Sequence, residues 1–542
     1  MTVKQLLEDL QYTLMQGTID REVTELVYDS RKAVQDGIFV CISGAVRDAH
    51  DFAAEVVEKG ITALVVEKEV DVPEHVTVIK VEDTRYALAC LSAAYFGHPA
   101  RELKTIGITG TKGKTTTTYM VKSILEKSGF KTGLIGTIET IIGDKVTPAV
   151  NTTPESYIVQ KTFREMADAG CQAVVMEVSS QGLMLHRVGG FTFDYGIFTN
   201  LEPDHIGPNE HKDMDDYISC KAMLFKQCKQ GILNVDSAYF ERVTEGHTCE
   251  IETYGFSEKA SLRAENVDLF SKAGTLGVEF DLKGLLDFHV AVAVPGKFSV
   301  YNSLCAIAIC RHFGVAEETI KKALLEIKVK GRVELIPVSD KYTLMIDYAH
   351  NAMSLESLLT TLKEYNPQRL VCLFGCGGNR DRGKRCQMGE IASLMSDYVV
   401  ITSDNPRNEN PYDIMEDINK GVKGRRYTNI ENREQAICYA LDRAGKGDII
   451  AILGKGNEPY QEINGVKYPY SDYKVVDDYF ARVAQDENVD EYNNKLKKEQ
   501  AKIQNEMTQI AQKISEIRKK YAQNLNEKIN QELIDLEMKN AK

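Results

Sequence analysis

The residues best suited to chemistry form one glycine- and threonine-rich segment, GITGTKGKTTTT, at positions 107–118. It follows an apolar run at 103–108 and precedes a helical pattern at 119–128. A glycine loop in that setting can offer backbone N–H groups and a helix N-terminus to phosphate. Lys114 would then meet the terminal phosphates of a nucleotide, and Thr115 a magnesium ion. The segment therefore predicts a phosphate loop, and a glycine-rich turn without a ligand is the alternative.

The loop departs from the standard nucleotide-binding motif G-x-x-x-x-G-K-[ST]. The position five residues before Gly113 is Ile108 rather than glycine. What stands here is a shorter pattern, G-x-x-G-K-T-T, which begins at Gly110. We therefore interpret the segment as a variant of the phosphate loop.

Two further residues could complete a metal site. Glu177 lies at the end of the apolar run 173–178, and His205 follows the run 196–200, 28 residues after Glu177. In open α/β sheets, ligands bind at the carboxyl ends of the strands. Together with Thr115, the two residues form a set of hard ligands suited to Mg²⁺ bridging ATP phosphates. The alternative is that each residue has only a structural role.

The elements around these residues alternate between short apolar runs and helical patterns such as 51–59, which predicts an α/β fold. We predict a small domain at 1–98, a central domain at 99–330 and a third domain at 331–484. The runs of the central domain favour a mostly parallel, doubly wound sheet. The predicted strands are 38–42, 63–66, 76–81, 105–108, 173–178, 196–200, 343–346, 370–374, 398–402 and 448–453.

The C-terminal segment 485–542 differs in composition from the rest of the chain. It has neither glycine nor proline from position 492 onward. Its 11 Lys/Arg and 11 Asp/Glu cancel, so it has no net charge with which to hold DNA. The segment predicts a helical, coiled-coil-like tail that pairs with a partner or self-associates. The apolar positions with the 4-3-4-3-4 spacing of a coiled coil are Ile503, Met507, Ile510, Ile514, Ile517 and Tyr521.

Composition excludes several other classes of protein. A chain of 542 residues needs several domains, and the absence of an 18-residue apolar run argues against a membrane span. The first ten residues contain acids where a secretory signal needs an apolar core, so we expect a cytoplasmic protein. The 12 cysteines show no C-x-x-C spacing, so neither a disulfide framework nor a zinc site is predicted. A net charge of -13 argues against nucleic acid as a partner.

Two longer segments accompany the shortened loop. They are VVMEVSSQGLMLHRVGGFTFDYGIFTNLEPDHIGPNEH at 174–211 and YISCKAMLF at 217–225. Together with the loop they resemble the Mur ligase superfamily, which includes cell-wall peptide ligases and folylpolyglutamate synthetases. The resemblance implies that Mg²⁺ is held by Thr115, Glu177, His205 and Lys221, the lysine as a carbamate whose carboxylate coordinates or orients the metal. Without the resemblance, Lys221 would be interpreted as a surface charge.

The first domain favours the cell-wall ligases, because folylpolyglutamate synthetases begin close to their phosphate loop. VYDSRKAVQDGIFVCISG at 27–44 resembles the uridine-nucleotide domain of UDP-N-acetylmuramoyl-tripeptide synthetases, the ligases that add the third amino acid. NTTPES at 151–156 resembles their substrate loop, whereas Leu185 departs from a frequent glutamine. The resemblance implies that a UDP-muramoyl dipeptide is held by Ser30, Asn151, Thr152, Thr153, Ser179 and Arg187.

The third domain carries five segments that resemble motifs of the same ligases in the same order. They are KVKGRVE at 328–334, IDYAHN at 346–351, FGCGGNRDRGKR at 374–385, SDNPRNENP at 403–411 and LGKGNEPYQ at 453–461. Departures from the family's usual residues are Lys330, Asn379, Asn410 and Asn457. For ATP, the resemblance implies contacts from Gly110, Thr111, Lys112, Gly113, Lys114, Thr115, Thr116, Asn302, Arg332 and His350.

Ligases of this kind append either meso-diaminopimelate or L-lysine, which differ by one carboxylate. An arginine fork can grip that carboxylate in two parallel charge-assisted bonds, and a buried unpaired arginine would be costly with lysine. DNPR at 404–407 places Arg407 at the family's diaminopimelate position. We therefore favour meso-diaminopimelate and keep L-lysine as the alternative. The diamino-acid site implied by the resemblance is Arg380, Asp404, Asn405, Arg407, Gly454 and Glu458.

The implied activity is ATP- and Mg²⁺-dependent amide-bond formation in the synthesis of a peptidoglycan precursor. An acyl phosphate on the D-glutamate γ-carboxylate would be attacked by the amino group of the diamino acid, with Lys114, His205 and Lys221 as catalytic residues. Two other classes stay open: an inactive ligase fold that acts as a scaffold, and a ligase for another carboxylate. Residues 513–542 resemble coiled coil from a RecN-type DNA-repair ATPase without its ATPase head.

Overall fold

The computed structural model describes residues 1–44, 47–203, 206–207, 210–272 and 275–536, with backbone only for 486–494. The chain forms two compact units, Met1–Asp472 and Tyr473–Lys542. Over the described residues, none of the helices combines the length and the apolar character needed to cross a bilayer. His205, a predicted metal ligand, lies outside the described residues.

The N-terminal part of the first unit is a five-stranded sheet with order β1-β5-β4-β3-β2. Strands β2 to β5 are parallel to their neighbours, and β1 runs antiparallel to β5 at one edge. The predicted strand 63–66 is observed as β4, while the predicted helix 51–59 begins with a 3₁₀ turn. The elements are α1 Val3–Leu6, β1 Thr13–Gln16, β2 Leu26–Val27, β3 Ile38–Val40, α2 Ala53–Glu58, β4 Ala63–Val66, β5 Thr77–Lys80 and α3 Thr84–Tyr95.

The central sheet has 11 strands over the described residues, in the order β16-β15-β14-β13-β12-β11-β6-β10-β7-β8-β9. Its strands are β6 Lys104–Thr109, β7 Thr132–Ile135, β8 Glu139–Ile142, β9 Lys145–Pro148, β10 Ala173–Glu177, β11 Phe193–Phe198, β12 Cys228–Asn234, β13 Glu250–Gly255, β14 Leu262–Lys272, β15 Thr275–Gly284 and β16 Phe288–Val292. Its helices are α4 Lys114–Lys127, α5 Ser156–Asp168, α6 Ser180–Met184, α7 Met214–Lys226, α8 Phe240–Val243, α9 Phe298–His312 and α10 Glu317–Leu325.

The seven strands from β14 to β7 are parallel, which confirms the predicted mostly parallel sheet. Antiparallel strands extend both edges, β8 and β9 on one side and β15 and β16 on the other. The sequence analysis did not predict these extensions. Strand β11 ends two residues earlier than the predicted run 196–200 and begins three residues earlier.

Alternation of side chains along the parallel strands explains why helices cover both faces of this sheet. On β10, Ala173 and Val175 belong to one buried cluster, whereas Val174 and Met176 belong to another. Successive side chains of a strand point to opposite faces, so a strand that is apolar at every position needs a core on each side. Helices α4 and α9 supply one core, and α5 and α7 supply the other.

The third sheet has the order β17-β18-β22-β19-β20-β21, with β17 antiparallel at one edge and the other strands parallel. A separate antiparallel pair, β23 and β24, follows it. The elements are β17 Glu334–Ile336, β18 Thr343–Asp347, α11 Ala352–Lys363, β19 Leu370–Phe374, α12 Gly383–Met395, β20 Tyr398–Ile401, α13 Pro411–Asn419, β21 Tyr427–Asn429, α14 Arg433–Asp442, β22 Ile449–Leu453, β23 Tyr460–Ile463 and β24 Val466–Pro469.

The last element is a single helix, α15 Asp472–Asp535, of 64 residues. Its presence confirms that the tail is helical. The predicted domain boundary at 485 falls inside this helix, which begins 13 residues earlier. The helix therefore continues through position 485, and the domain boundary there stays a prediction. The apolar positions from Ile503 to Tyr521 are exposed in the single chain, and their pairing in a coiled coil stays a prediction.

Candidate active site

The phosphate loop connects the end of β6 to the start of α4, as predicted. Gly110 and Gly113 have φ angles of +146° and +84°, which side-chain-bearing residues rarely adopt. A Cβ at Gly113 would also lie 2.4 Å from Asn302 Oδ1, and one at Gly110 would lie 1.9 Å from Thr199 Oγ1. The two glycines are therefore required both by the backbone conformation and by the close approach of neighbouring side chains.

Lys114 is the first residue of α4 and folds back over the loop. Its Nζ donates hydrogen bonds to the carbonyl oxygens of Gly110 at 2.8 Å and Thr111 at 3.0 Å. These bonds keep the ammonium group within the loop, next to the N-terminus of a 14-residue helix. An ammonium group and a helix N-terminus at the same point favour a bound anion.

Glu177 ends β10 beside this loop and is almost completely buried, with 1% of its surface exposed. Thr115 Oγ1 lies 3.0 Å from each of its carboxylate oxygens. Thr137, just after β7, donates its backbone N–H at 2.8 Å and its hydroxyl at 3.0 Å to the same carboxylate. The structure therefore brings Thr115 and Glu177 together, and it adds Thr137, which sequence analysis missed. Its place at the carboxyl end of the strand next to β10 was the available signal.

The oxygen atoms of Thr115 and Glu177 form a donor set that fits a hard cation such as Mg²⁺. The carboxylate is held by hydrogen bonds from neutral groups, so its charge stays available for a metal ion. Predicted ligand His205 lies outside the described residues. Lys221 is buried, with 1% of its surface exposed, so its interpretation as a surface charge is wrong.

Lys221 projects from α7 towards the phosphate loop. Its Nζ donates a hydrogen bond of 3.0 Å to the carbonyl oxygen of Gly110 and lies 4.6 Å from the centre of the Tyr217 ring. Tyr217 is itself buried, and its hydroxyl lies 3.1 Å from Thr111 Oγ1. Helix α7 thus contacts the loop through two side chains. Carbamylation of Lys221 stays a prediction.

A cavity of about 720 Å³ opens along the loop and Glu177, large enough for a nucleotide and part of a second substrate. Ser30, Gly110, Lys221, His350 and the predicted diamino-acid residues do not border this cavity. His350 is exposed, and its Nδ1 lies 2.8 Å from the carbonyl oxygen of Tyr348. The predicted ATP, dipeptide and metal residues that border it are Thr111, Lys112, Gly113, Lys114, Thr115, Thr116, Asn151, Thr152, Thr153, Glu177, Ser179, Arg187, Asn302 and Arg332.

The predicted dipeptide residues are tied to the backbone of Glu177 through Thr153. Thr153 Oγ1 donates to the carbonyl oxygen of Glu177 at 3.0 Å and accepts from the Ser179 N–H at 2.9 Å. Arg187 Nη1 donates to the Thr153 carbonyl oxygen at 3.1 Å. A shift of the 151–153 loop would therefore move Glu177 as well.

Asp347 ends β18 on the third-domain side of the same cavity, next to Arg332. The backbone N–H groups of Val333 and Ala349 each donate to its carboxylate at 2.7 Å. Burial raises the pKa of Asp347 above its usual value, although Arg332 and these two hydrogen bonds oppose the increase. The third domain therefore presents an acid and an arginine towards the phosphate loop.

A second polar cluster forms in the third domain around Lys455, which is completely buried. Its Nζ donates to Asn405 Oδ1 at 3.0 Å, to Glu458 Oε2 at 3.1 Å and to Asp404 Oδ1 at 3.4 Å. Asn405 Nδ2 also donates to Glu458 Oε2 at 2.8 Å. Three of the predicted diamino-acid residues thus lie together. Lys455 was missed, although it stands inside the quoted segment 453–461.

Arg407 lies beside this cluster in a left-handed backbone conformation, with a φ of +51°. Its Nε donates to Glu462 Oε2 at 3.1 Å, and its Nη1 donates to the carbonyl oxygen of Gly378 at 2.8 Å. Its backbone pairs with the β23–β24 hairpin. The structure therefore orients this guanidinium group, whereas the second candidate, Arg380, is exposed.

Comparison with known proteins agrees with this geometry. The profile described as "Mur ligase middle domain" matches residues 108–310, and the profile "Mur ligase, glutamate ligase domain" matches residues 331–456. UDP-N-acetylmuramoyl-L-alanyl-D-glutamate–2,6-diaminopimelate ligase 1 of Clostridium acetobutylicum is 44% identical over 484 residues, which cover 88% of this chain and 99% of the relative. The corresponding ligase of Clostridium perfringens is 41% identical over 487 residues, with 88% of this chain and 99% of the relative covered.

Solved structures extend the similarity to three dimensions. A structure of a UDP-N-acetylmuramoyl-L-alanyl-D-glutamate–2,6-diaminopimelate ligase superposes with a TM-score of 0.69 at 27% identity and covers 89% of this chain and 99% of that one. A Mycobacterium tuberculosis folylpolyglutamate synthase shares the fold, with a TM-score of 0.52 at 17% identity over 68% of this chain and 92% of that one. The resemblance inferred from the sequence motifs is thus confirmed at the level of the family. The chain belongs to the Mur ligase family.

Proposed function

We propose that this protein joins meso-diaminopimelate to UDP-N-acetylmuramoyl-L-alanyl-D-glutamate in an ATP-dependent reaction that supplies a peptidoglycan precursor. The observation that carries the proposal is a single cavity bordered by the phosphate loop, by Glu177 and by the predicted dipeptide residues Thr152, Thr153 and Arg187. A ligase needs its nucleotide and its acid substrate side by side, and this cavity provides that arrangement. The names of the relatives, at 38–44% identity, support the same substrates.

The chain's own residues account for the first step by positioning and neutralising charge. Lys114 and the N-terminus of α4 would hold the β- and γ-phosphates of ATP. Thr115 and Glu177 would hold Mg²⁺, which neutralises phosphate charge when bound. Thr153, Ser179 and Arg187 would place the D-glutamate γ-carboxylate in line with the γ-phosphorus. The γ-phosphoryl group then moves to that carboxylate, and an acyl phosphate and ADP result.

The second step joins the diamino acid to the activated carboxyl group. Its amino group attacks the acyl carbon, a C–N bond forms, and phosphate leaves with the electrons of the C–O bond. Arg332 and Asp347 of the third domain border the cavity, so they would help to exclude water from the acyl phosphate. The diamino acid would be held by the Asp404, Asn405 and Glu458 cluster at its amino end.

Selection of diaminopimelate over L-lysine is assigned to Arg407. Its Nε and Nη1 bonds to Glu462 and Gly378 orient the guanidinium group before the substrate arrives. A bound carboxylate would add charge-assisted bonds that lysine cannot make. Discrimination of about 2 kcal/mol or more is expected, because lysine would leave the arginine without that partner.

The test is phosphate release from ATP in the presence of the UDP-muramoyl dipeptide, with meso-diaminopimelate or L-lysine added in parallel. We expect release with diaminopimelate and little with lysine. Release with lysine alone would leave the ligase reaction intact and overturn the assignment of Arg407. Absence of release with either amino acid, in folded protein that binds ATP, would favour a scaffold or a ligase for another carboxylate.

A further inference from the structure

His211 stands at the centre of a chain of three side chains that the mechanism above does not use. Its Nδ1 lies 3.1 Å from Asp216 Oδ2, and its Nε2 lies 2.8 Å from Ser180 Oγ. His211 is completely buried, and Ser180 is 4% exposed. The order carboxylate, imidazole, hydroxyl is the arrangement that moves a proton from a hydroxyl group to a histidine in nucleophilic enzymes.

The two hydrogen bonds define the direction in which a proton can travel. Asp216 accepts the Nδ1–H, so Nε2 is left as the acceptor of the ring. Ser180 then donates its hydroxyl proton to Nε2, and the lone pairs of its oxygen remain to accept a hydrogen bond from another donor. A group that binds next to Ser180 can therefore lose a proton to Oγ while the original hydroxyl proton moves to His211.

Ser180 is placed where such a donor would bind. It is the first residue of α6, three positions after Glu177, and it borders the cavity of the proposed active site. On its other side, the His211 ring packs against the Tyr217 ring with centroids 5.0 Å apart. Tyr217 in turn reaches Thr111 in the phosphate loop. The three side chains Asp216, His211 and Ser180 therefore extend from the buried region beside Tyr217 to the wall of the cavity.

The charged and titratable groups around His211 suit a proton acceptor. Burial alone would raise the pKa of Asp216, but its hydrogen bonds to His211 and to the Lys212 backbone N–H, with the nearby charges, bring it below its usual value. Burial, with the Asp216 charge, raises the pKa of the Cys220 thiol to about 11, so the thiol is neutral near pH 7. The charged Asp216 carboxylate therefore lies 3.1 Å from His211 Nδ1.

The same residues could be considered as a metal site, since the ligand atoms of His211, Asp216 and Cys220 lie within 4.8 Å of one another. Both imidazole nitrogens already have hydrogen-bond partners, however, and the thiol is held in its protonated form by burial. Thiolate, not thiol, is the form that binds metal ions. Proton transfer is thus the better account of the arrangement.

We propose that Ser180, His211 and Asp216 form a proton relay that deprotonates the amino group of the incoming diamino acid. The inference rests on the proposed ligase reaction. An ammonium group must lose one proton before it can attack and a second to become an amide. One N–H bond breaks with its electrons left on nitrogen, the proton passes to Ser180 Oγ, and the hydroxyl proton passes to His211. The other proton leaves with the departing phosphate, and His211 returns its proton to water after product release.

The test compares two nucleophiles, diaminopimelate and hydroxylamine, in Ser180→Ala and His211→Gln. The comparison separates formation of the acyl phosphate from attack by the amino group. Hydroxylamine is uncharged near neutral pH and reacts with an acyl phosphate without a proton acceptor, giving a hydroxamate. We expect diaminopimelate ligation to fall about 100-fold in each variant, the usual size of a general-base contribution, with hydroxamate formation changed less than about threefold. Asp216→Asn should fall by at least about tenfold, because the amide no longer selects the productive tautomer.

The pH profile provides a readout that a structural role would not change. The residual rate of His211→Gln should rise steadily with pH as free amine accumulates, whereas ligation by the wild-type chain should depend less on pH because the relay accepts the proton. The matched control is His50→Gln. His50 Nδ1 also pairs with a carboxylate, Asp48, but its Nε2 accepts a backbone N–H from Glu67 and not a serine hydroxyl proton.

The outcomes of these measurements distinguish the possibilities. The relay is supported if the Ser180 and His211 variants lose ligation but keep hydroxamate formation, and if His50→Gln keeps both activities. Equal loss of both activities would overturn it and leave these residues a structural role, as would unchanged ligation. If the wild-type chain forms hydroxamate but ligates neither diamino acid, the proposed substrate is wrong; without hydroxamate formation, the proposed activation of the dipeptide fails.

Discussion

Glu177 connects three parts of the proposed active site through its carboxylate and its backbone carbonyl group. It accepts hydrogen bonds from Thr115 in the phosphate loop and from Thr137 after β7, while its backbone carbonyl oxygen accepts one from Thr153 in the substrate loop. Charge and position are therefore both needed at this residue. Thr137, which sequence analysis missed, donates two hydrogen bonds to this carboxylate.

Glu177→Gln should lower ATP turnover about 100-fold and raise the Mg²⁺ concentration needed for half-maximal rate. The amide lacks the negative charge that attracts the metal, and its NH₂ group would face the Thr137 N–H donor. The measurement is the rate of phosphate release against Mg²⁺ concentration. Glu252→Gln is the control, since Glu252 is a buried acid paired with Arg311 and His312 away from the cavity. Equal effects of the two substitutions would contradict a metal role for Glu177.

Arg407→Lys should raise the KM for meso-diaminopimelate about 30-fold and leave the KM for ATP nearly unchanged. Lysine keeps the positive charge but cannot form the two parallel bonds of a guanidinium group. Steady-state kinetics with each substrate varied in turn checks the split. An exposed arginine, Arg425, changed to lysine in the same way serves as the control. A KM change for ATP of the same size would show that Arg407 acts on the fold rather than on the amino acid.

At the scale of elements, ion pairs fasten α12 to α13 in the third domain. Arg385 of α12 is completely buried and donates to Glu409, just before α13, at 2.9 and 3.0 Å. It also donates to Asp417 of α13 at 3.1 Å. These bonds, led by the Arg385 side chain, lower the pKa of Glu409 from 4.5 to about 2.

A carboxyl group with a lowered pKa in the folded state stabilises the fold above its unfolded pKa and loses that effect as pH falls. Glu409 should therefore contribute fully above pH 4.5, and progressively less between pH 4.5 and about 2. Glu409→Gln should cost about 3 kcal/mol at pH 7, since it leaves Arg385 with one acidic partner, and should flatten the stability profile in that window. Urea unfolding followed by circular dichroism at several pH values measures both effects.

The control for this ion pair is Arg382→Gln. Arg382 also donates to Glu409, at 3.1 Å, but its side chain is 71% exposed. Its removal should change stability by less than about 1 kcal/mol, as is usual for surface pairs. A loss as large as that of Glu409→Gln would mean that the buried position of Arg385 is not the source of the effect.

The long helix α15 is the other element with a clear expectation. The apolar side chains at Ile510, Ile514 and Ile517 are about half exposed in the single chain, at helical spacing. An apolar stripe of this kind is buried when helices pair. We expect the full chain to self-associate through it, and Ile510→Lys with Ile517→Lys to give a monomer of unchanged ligase activity.

Sedimentation velocity of the full chain and of the double variant measures the change. Gln512→Lys is the control, because position 512 lies on the opposite face of the helix from the stripe. A monomeric wild-type chain would contradict self-association and leave the stripe to a different partner. The Clostridium acetobutylicum relative is covered to 99% of its own length and matches 88% of this chain.

At the scale of the whole molecule, the cavity of the proposed active site lies within the first unit, between the central sheet and the predicted third domain. The central sheet supplies the phosphate loop and Glu177, and the third domain supplies Arg332 and Asp347 to the same cavity. Lys330, in the segment between them, pairs with the buried Glu139 of β8 at 3.0 Å. This ion pair ties the segment before the third domain to the central sheet.

Binding of substrates should therefore stabilise the central and third domains together. A non-hydrolysable ATP analogue with Mg²⁺ and the UDP-muramoyl dipeptide, each at about 100 times its Kd, should add about 2.7 kcal/mol per site by linkage. Differential scanning calorimetry should show the main transition moving to higher temperature. In Lys114→Met the shift due to the nucleotide should be largely lost, with the dipeptide shift retained. A nucleotide shift that survives this substitution would contradict the role of the phosphate loop.

The sequence by itself determined the features that depend on contiguous residues. The phosphate loop, the runs 63–66 and 370–374 and the helical tail are encoded by local spacing, and the structure shows each of them. Such features need only the conformational preferences of neighbouring residues and the alternation of apolar side chains.

Only the tertiary structure decided which distant side chains meet. Thr137 reaches Glu177 across 40 positions, Lys455 reaches Asn405 across 50, and His211 reaches Ser180 across 31. It also left Ser30 and His350 off the cavity that borders Lys114. These contacts depend on strand order and on how helices pack over the sheet, because that packing brings residues from separate strand ends to one edge. Residue types and local spacing carry no information about those distances.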